Sequence, residues 1–261
     1  MTQRSKPQLN YQQLGQGEHL VLIHGLFGSL ENLNMVAKQL SQHYCVTSVD
    51  VRNHGNSFHQ IGMSYSELAQ DVIYLLEQLS IKSCHVLGHS MGGKIAMQLA
   101  LSFPQKVNKL ILADIAPVQY PAHHQTIIAG LQALDFSLIN KRKDADTQLE
   151  KYVDNVGVRQ FLLRNLMMNA PGQFSLKCHL NNIEQGYPQI MCGQEDSSLS
   201  FAGATLFIKG GDSDYILTEH QSIIKRLFPK AKAKIIQGVG HWLHAEKTVA
   251  FNKIVSDFLA K

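Results

Sequence analysis

The sequence predicts an α/β protein with a mostly parallel central sheet flanked by helices. Three observations point there. Short apolar runs recur along the chain and end in a turn, often at a glycine or an acid. Amphipathic stretches of helical period lie between them. The alternation stops once, between about residues 117 and 200. The apolar runs are residues 19–23, 45–49, 83–87, 109–113, 205–208 and 234–236. Each is nearly continuous, as strands buried on both faces are. Repeated strand–helix alternation sets such strands parallel. Residues 65–79 place Leu68, Val72, Leu75, Leu76 and Leu79 on one helical face. Residues 94–103 form a helix that stops before Pro104.

Where the alternation stops, helical patterns cover residues 125–134, 145–156 and 158–168. An irregular stretch with Pro171, Gly172, Gly186 and Pro188 follows. The expected organisation is a core of residues 1–117 and 201–261, with residues 118–200 inserted as a small helical cap. The cap would cover the C-terminal edge of the sheet, where open α/β sheets bind ligands.

Composition narrows the function classes. Of 261 residues, 44% are hydrophobic and 17% charged, which fits a packed globule and not a disordered chain. The net charge of +4 is too small for a nucleic-acid footprint. The tight basic run, Lys141 to Lys143, is followed by Asp144 and Asp146 and reads as a solvated helix face. No stretch approaches the ~18 apolar residues of a membrane span, and residues 1–17 carry no apolar signal core. Cys45, Cys84, Cys178 and Cys192 are widely spaced and read as reduced, mostly buried thiols of a cytoplasmic protein. No histidine pair has metal-ligand spacing, so neither metal nor cofactor is expected.

The chemistry concentrates at Gly88-His89-Ser90-Met91-Gly92. Gly-x-Ser-x-Gly alone is a weak signal. Here it follows a buried strand and opens a helix, the context of a strained turn that holds a serine hydroxyl at the sheet edge. A serine needs a base, and the base needs an orienting acid. In this architecture the base comes last in the chain. His241, in Gly238-Val239-Gly240-His241, sits just past the last apolar run; His244 is the competitor, expected to begin the last helix. Two strand ends could deliver the acid: Asp114, or Asp212 and Asp214, which bracket Ser213. An oxyanion needs two backbone donors. The amide of Met91 is one, and the amide of Leu26, in the turn His24-Gly25-Leu26-Phe27-Gly28, is the other.

These motifs, with Asp50 to Ser57 and Gly240-His241-Trp242, resemble the α/β-hydrolase fold superfamily over nearly the whole chain. More narrowly, residues 24–32, Arg52-Asn53-His54-Gly55, Asp114-Ile115-Ala116-Pro117 and residues 241–247 resemble the YbfF-type esterases. That resemblance implies a serine carboxylesterase, with acyl-CoA or other acyl thioesters as possible substrates. It also implies Asp114 as the acid, with an auxiliary hydrogen bond from Ser213. The partner would be a small-molecule acyl ester or thioester. Phe27 and Trp242 are candidate substrate-binding residues. Phe161, Met167 and Met168, placed on a cap helix, either line the pocket from above or pack within the cap. Asp50 and Arg52 read as braces of the turn through Gly55. The alternative activity is a cofactor-free C–C bond hydrolase or lyase using the same three groups. Haloalkane dehalogenases and epoxide hydrolases need an aspartate nucleophile, which Ser90 argues against. A binding module that has lost the chemistry is the rival from another class.

Overall fold

The computed structural model describes residues 8–194 and 198–261. The first seven residues of the polar start, and residues 195–197 of the expected cap, lie outside it. Seven strands form the main sheet: β1 (Tyr11–Leu14), β2 (Glu18–Ile23), β3 (Tyr44–Val49), β4 (Cys84–His89), β5 (Val107–Ala113), β8 (Ala204–Gly210) and β9 (Ala231–Ile236). The intervening β6 (Leu166–Ala170) and β7 (Gln173–Leu176) form a separate antiparallel hairpin. The order in the main sheet is β1-β3-β2-β4-β5-β8-β9. All pairs are parallel except β1 against β3.

The alternation of side chains across each strand builds two apolar layers. Val21, Ile23, Val86, Leu110 and Leu112 face α2 (Tyr65–Gln78) and α3 (Met91–Ser102). Leu20, Leu22, Leu87, Ile111 and Ala113 face α1 (Asn34–Leu40) and α11 (Thr248–Leu259). The expected face of α2 is inward: Leu68, Val72, Leu75 and Leu76 are buried. Ser64 starts that helix by accepting from Glu67 N while Glu67 receives the Ser64 amide at 3.1 Å. The six apolar runs coincide with β2, β3, β4, β5, β8 and β9. β1 escaped the sequence pattern because its Tyr-Gln-Gln-Leu is short, largely exposed and paired on one side only.

Between β5 and β8 the chain is not wholly helical. It forms α4 (Gln125–Gln132), α5 (Arg142–Leu149), α6 (Val156–Leu162), the β6–β7 hairpin, α7 (Leu180–Gln185) and α8 (Tyr187–Met191). The expected helix over 158–168 ends at Leu162, and Leu166 onward is strand. Pro171 and Gly172 close the hairpin between the paired Ala170 and Gln173, with Gly172 at φ +75°. That is the turn chemistry of a Pro-Gly pair, which overrides the helical period before it. Asn155 caps α6 through Val158 N at 3.1 Å, which divides the expected helix over 145–156. The basic run opens α5 and is exposed.

The segment between β5 and β8 is pinned to the elements that precede it. Lys94 of α3 is buried and donates from Nζ to Val118 O (2.6 Å) and Cys192 O (2.5 Å), near the two ends of that segment. Asn165 Nδ2 donates to Phe27 O at 2.7 Å, and His179 N to Asn53 O at 2.9 Å. The cysteines are all free; Cys84 and Cys178 are buried, Cys45 is half-buried and Cys192 is exposed.

Asp50 and Arg52 brace the loop after β3. Asp50 accepts from Leu30 N (2.7 Å), Asn56 N (2.9 Å) and Asn10 Nδ2 (2.8 Å). Arg52 forks onto Asp71 of α2 at 2.5 and 2.7 Å. Burial pushes the Asp71 carboxyl up, and Arg52 opposes that shift. Arg52→Met would strand a buried carboxylate and cost about 3–5 kcal/mol in urea denaturation. The double variant Arg52→Met/Asp71→Leu should recover most of that loss. An equal loss in both would assign the cost instead to the Arg52 contact with Gly62 O.

Candidate active site

Ser90 sits between β4 and α3 at φ 54° and ψ −123°. A side chain is strained there, and the strain is sustained by close backbone packing. A Cβ on Gly88 would lie 2.1 Å from Gly92 O, and a Cβ on Gly92 would lie 2.2 Å from Ile23 O. Glycine at both positions lets α3 start against β2 and β4. The amide of Met91, first in α3, has no intrahelical acceptor. Leu26, Met91 and Ser90 share the lining of a cavity of about 20 Å³.

His241 follows β9 and meets an acid from β5. Its Nδ1 lies 2.8 Å from Asp114 Oδ2. Asp114 is fully buried, and its other oxygen accepts from Gly210 N at 2.9 Å. Ser213 Oγ donates to the same oxygen as His241. Three donors offset the cost of burying the carboxylate. With Nδ1–H directed at the carboxylate, Nε2 is the basic nitrogen. Asp212 and Asp214 are exposed, and no hydrogen bond or ion pair among the described residues joins either carboxylate to His241. His244 packs against His89 at 4.4 Å between ring centroids and makes no contact with Asp114; it lies in the short α10 (Leu243–Glu246), before the last helix.

Ser90 and His241 line one cavity of about 270 Å³, together with Phe27, Phe161 and Trp242. No hydrogen bond among the described residues runs from the Ser90 hydroxyl to the imidazole; in ligand-free enzymes such contacts are often long and tighten around substrate. Phe27, at φ 57°, donates its amide to His54 Nε2 at 3.2 Å. Trp242 packs on Phe161 of α6 at 5.8 Å. Met167 and Met168 lie in β6, outside the lining, so of the three cap residues only Phe161 reaches the cavity.

Several residues of the site had not been singled out from sequence. Tyr215 stacks on His241 at 3.9 Å and 17°. His123 Nε2 meets the Tyr215 hydroxyl at 2.8 Å. His89, the variable position of the serine motif, donates from Nε2 to His241 O at 2.8 Å. Its place beside Ser90 was the available signal. Tyr215 and Asn165 carried none.

A family model described as alpha/beta hydrolase fold matches residues 18–248. The chain belongs to that family. This hydrolase is 41% identical over 249 residues to a Mus musculus protein described as sn-1-specific diacylglycerol lipase ABHD11, covering 92% of this chain and 80% of the relative. It is 34% identical over 252 residues to Esterase YbfF of Escherichia coli (strain K12), covering 95% and 96% of the two chains. A solved structure described as "Marine microorganism esterase" superposes with a TM-score of 0.93 at 38% identity, covering 97% of this chain and 100% of the other. The hydrolase is a carboxylic ester hydrolase resembling YbfF.

Burial keeps three histidines near the hydrolase site, His54, His124 and His244, neutral. It pushes His244 down to about 4, with His241 and Arg164 adding. It pushes His124 and His54 down to about 3. Their folded pKa lies below the unfolded one, so the unfolded chain binds more protons between the two values. That stability is present above about pH 6.5 and is lost as pH falls toward 4 and below. Each imidazole contributes a slope of about 1.4 kcal/mol per pH unit in that window. His124→Gln should flatten the measured slope by about one proton; an unchanged slope would mean that His124 titrates normally.

Proposed function

We propose that this hydrolase cleaves small-molecule acyl esters or acyl-CoA thioesters through an acyl-enzyme on Ser90, with Asp114 and His241 completing a catalytic triad. The observation that carries the reading is the 2.8 Å contact of His241 Nδ1 with buried Asp114, at the cavity wall that also bears Ser90. His241 Nε2 takes the Ser90 proton as Oγ attacks the acyl carbonyl. The oxyanion rests on the amides of Leu26 and Met91. The alcohol or thiol leaves with the proton that His241 held. Water then gives a proton to the same imidazole and attacks the acyl-enzyme; the bond to Ser90 Oγ breaks, Oγ takes that proton back from His241, and the acid is released. Asp114 holds the tautomer, and Ser213 holds Asp114. In this reading residues 118–200 form a cap that shapes the pocket, and the protein acts in the cytoplasm. No helix of the described residues is long and apolar enough to cross a membrane.

A fluorophosphonate probe should label Ser90 at neutral pH and leave Ser90→Ala unlabelled; absence of labelling in the wild type would favour a binding module. Asp114→Asn should lower kcat by about 10⁴ through loss of tautomer control. Asp214→Asn should stay near wild type, and the reverse result would move the acid to Asp214. Ser213→Ala should cost about tenfold in kcat, since it removes one donor worth on the order of 1 kcal/mol from a buried carboxylate. An aryl ester assayed beside a β-diketone separates ester hydrolysis from C–C cleavage.

A further inference from the structure

The proposed mechanism fixes the side on which the leaving group departs, because His241 must reach the departing oxygen or sulfur. His241 lines the 270 Å³ cavity but not the small one, Met91 lines only the small one, and Leu26 lines both. The departing group is therefore directed away from Met91 and toward Trp242. Trp242, with Gly25, His89 and Phe161, also lines a second cavity of about 470 Å³. The two cavities differ in chemistry. Phe27, Ile127, Val158 and Leu162 make the first one apolar. Asn32, Gln160, Arg164, His244 and Glu246 make the second one the more polar of the two.

Arg164 is the group that distinguishes that second cavity. It is exposed on the turn after α6, and its side chain forms no hydrogen bond or ion pair among the described residues. Its charge is close enough to act on buried His244. Glu246, the acid of that lining, receives the Gly240 amide at 3.4 Å and would repel an anion placed beside it. A guanidinium without a protein partner on a cavity wall matches a phosphate or a carboxylate, which it binds through two parallel N–H donors.

We infer that the 470 Å³ cavity is the leaving-group subsite and that Arg164 binds an anionic group, phosphate or carboxylate, carried by the departing alcohol or thiol. The preferred substrate then has an apolar acyl group on an anionic leaving group. This rests on the ester-hydrolase reading above. Arg164 acts on binding, so the effect falls on KM more than on kcat.

The test uses esters with one acyl group and three leaving alcohols: neutral, carboxylate-bearing and phosphate-bearing. Wild type should favour the anionic members in kcat/KM. Arg164→Gln should lower the anionic-to-neutral ratio about tenfold, the lower end for a charge-assisted contact at an exposed group. Arg164→Lys should restore part of it, and added salt should weaken the preference. A larger loss for phosphate assigns a phosphorylated leaving group, and a larger loss for carboxylate assigns a carboxylated one. An unchanged ratio in Arg164→Gln would overturn the inference. Calorimetry of the free phosphorylated alcohol reads the subsite without turnover. Loss of its binding in Arg164→Gln supports the subsite, and equal binding to both proteins overturns it. Failure of wild type to hydrolyse any of the esters would count against the hydrolytic reading instead.

Discussion

The backbone of α3 touches the ends of β2 and β4, and the rest of the site depends on that approach. Gly88 and Gly92 leave no room for a Cβ, so the chain reverses within one residue and Ser90 takes a left-handed conformation. Two other side-chain-bearing residues of the site adopt positive φ: Phe27 after β2 and Asp114 after β5. Such residues cost on the order of 1–3 kcal/mol each. They persist because the strands that present them are locked on both faces. Leu20 to Ile23, Val86, Leu87 and Leu110 to Ala113 are all completely buried. The sheet core thus offsets the strain that aims three side chains at one edge.

Electrostatics follows from the same placement. A carboxylate at the end of β5 is shielded from water, so donors must come to it. They come from three later segments: Gly210 at the end of β8, Ser213 beyond it and His241 after β9. The surrounding histidines do not compete, because burial keeps His89, His124 and His244 uncharged. His89 also carries a mechanical role. Its Nε2 bond to His241 O links the serine turn directly to the loop that bears the imidazole, across 152 residues of sequence.

What the sequence disclosed follows the physics of each element. Five sheet strands were legible because burial on both faces demands continuous apolar runs, and β9, a largely exposed edge strand, was read only from the short run at its end. The serine turn was legible because its glycines answer a steric demand. β1 was not, since an exposed edge strand needs no apolar pattern. Only the start of β6 reads as helix, because its apolar residues continue the spacing of α6; the rest of the hairpin reads as an irregular stretch around Pro171 and Gly172. Spacing alone left the acid open between Asp114 and the pair around Ser213. The geometry brings Asp114 to His241, and makes Ser213 a donor to Asp114. Tyr215 and Asn165 were illegible for another reason: their contacts join segments 26 and 138 residues apart, and no local pattern records such a meeting.

That last contact bears on how specificity and chemistry are joined. Phe27 donates its amide to His54 and accepts Asn165 at its carbonyl, so both sides of the residue after Leu26 are held. One support comes from the loop after β3 and the other from the turn after α6. Arg164, next in sequence to Asn165, borders the polar cavity, and Phe161 borders both cavities. The end of α6 and the turn after it therefore carry a pocket-lining residue, a cation without a hydrogen-bonded or ion-paired partner among the described residues, and the support of the residue after Leu26. The backbone that follows Leu26 is thus held by the same segment that lines both cavities.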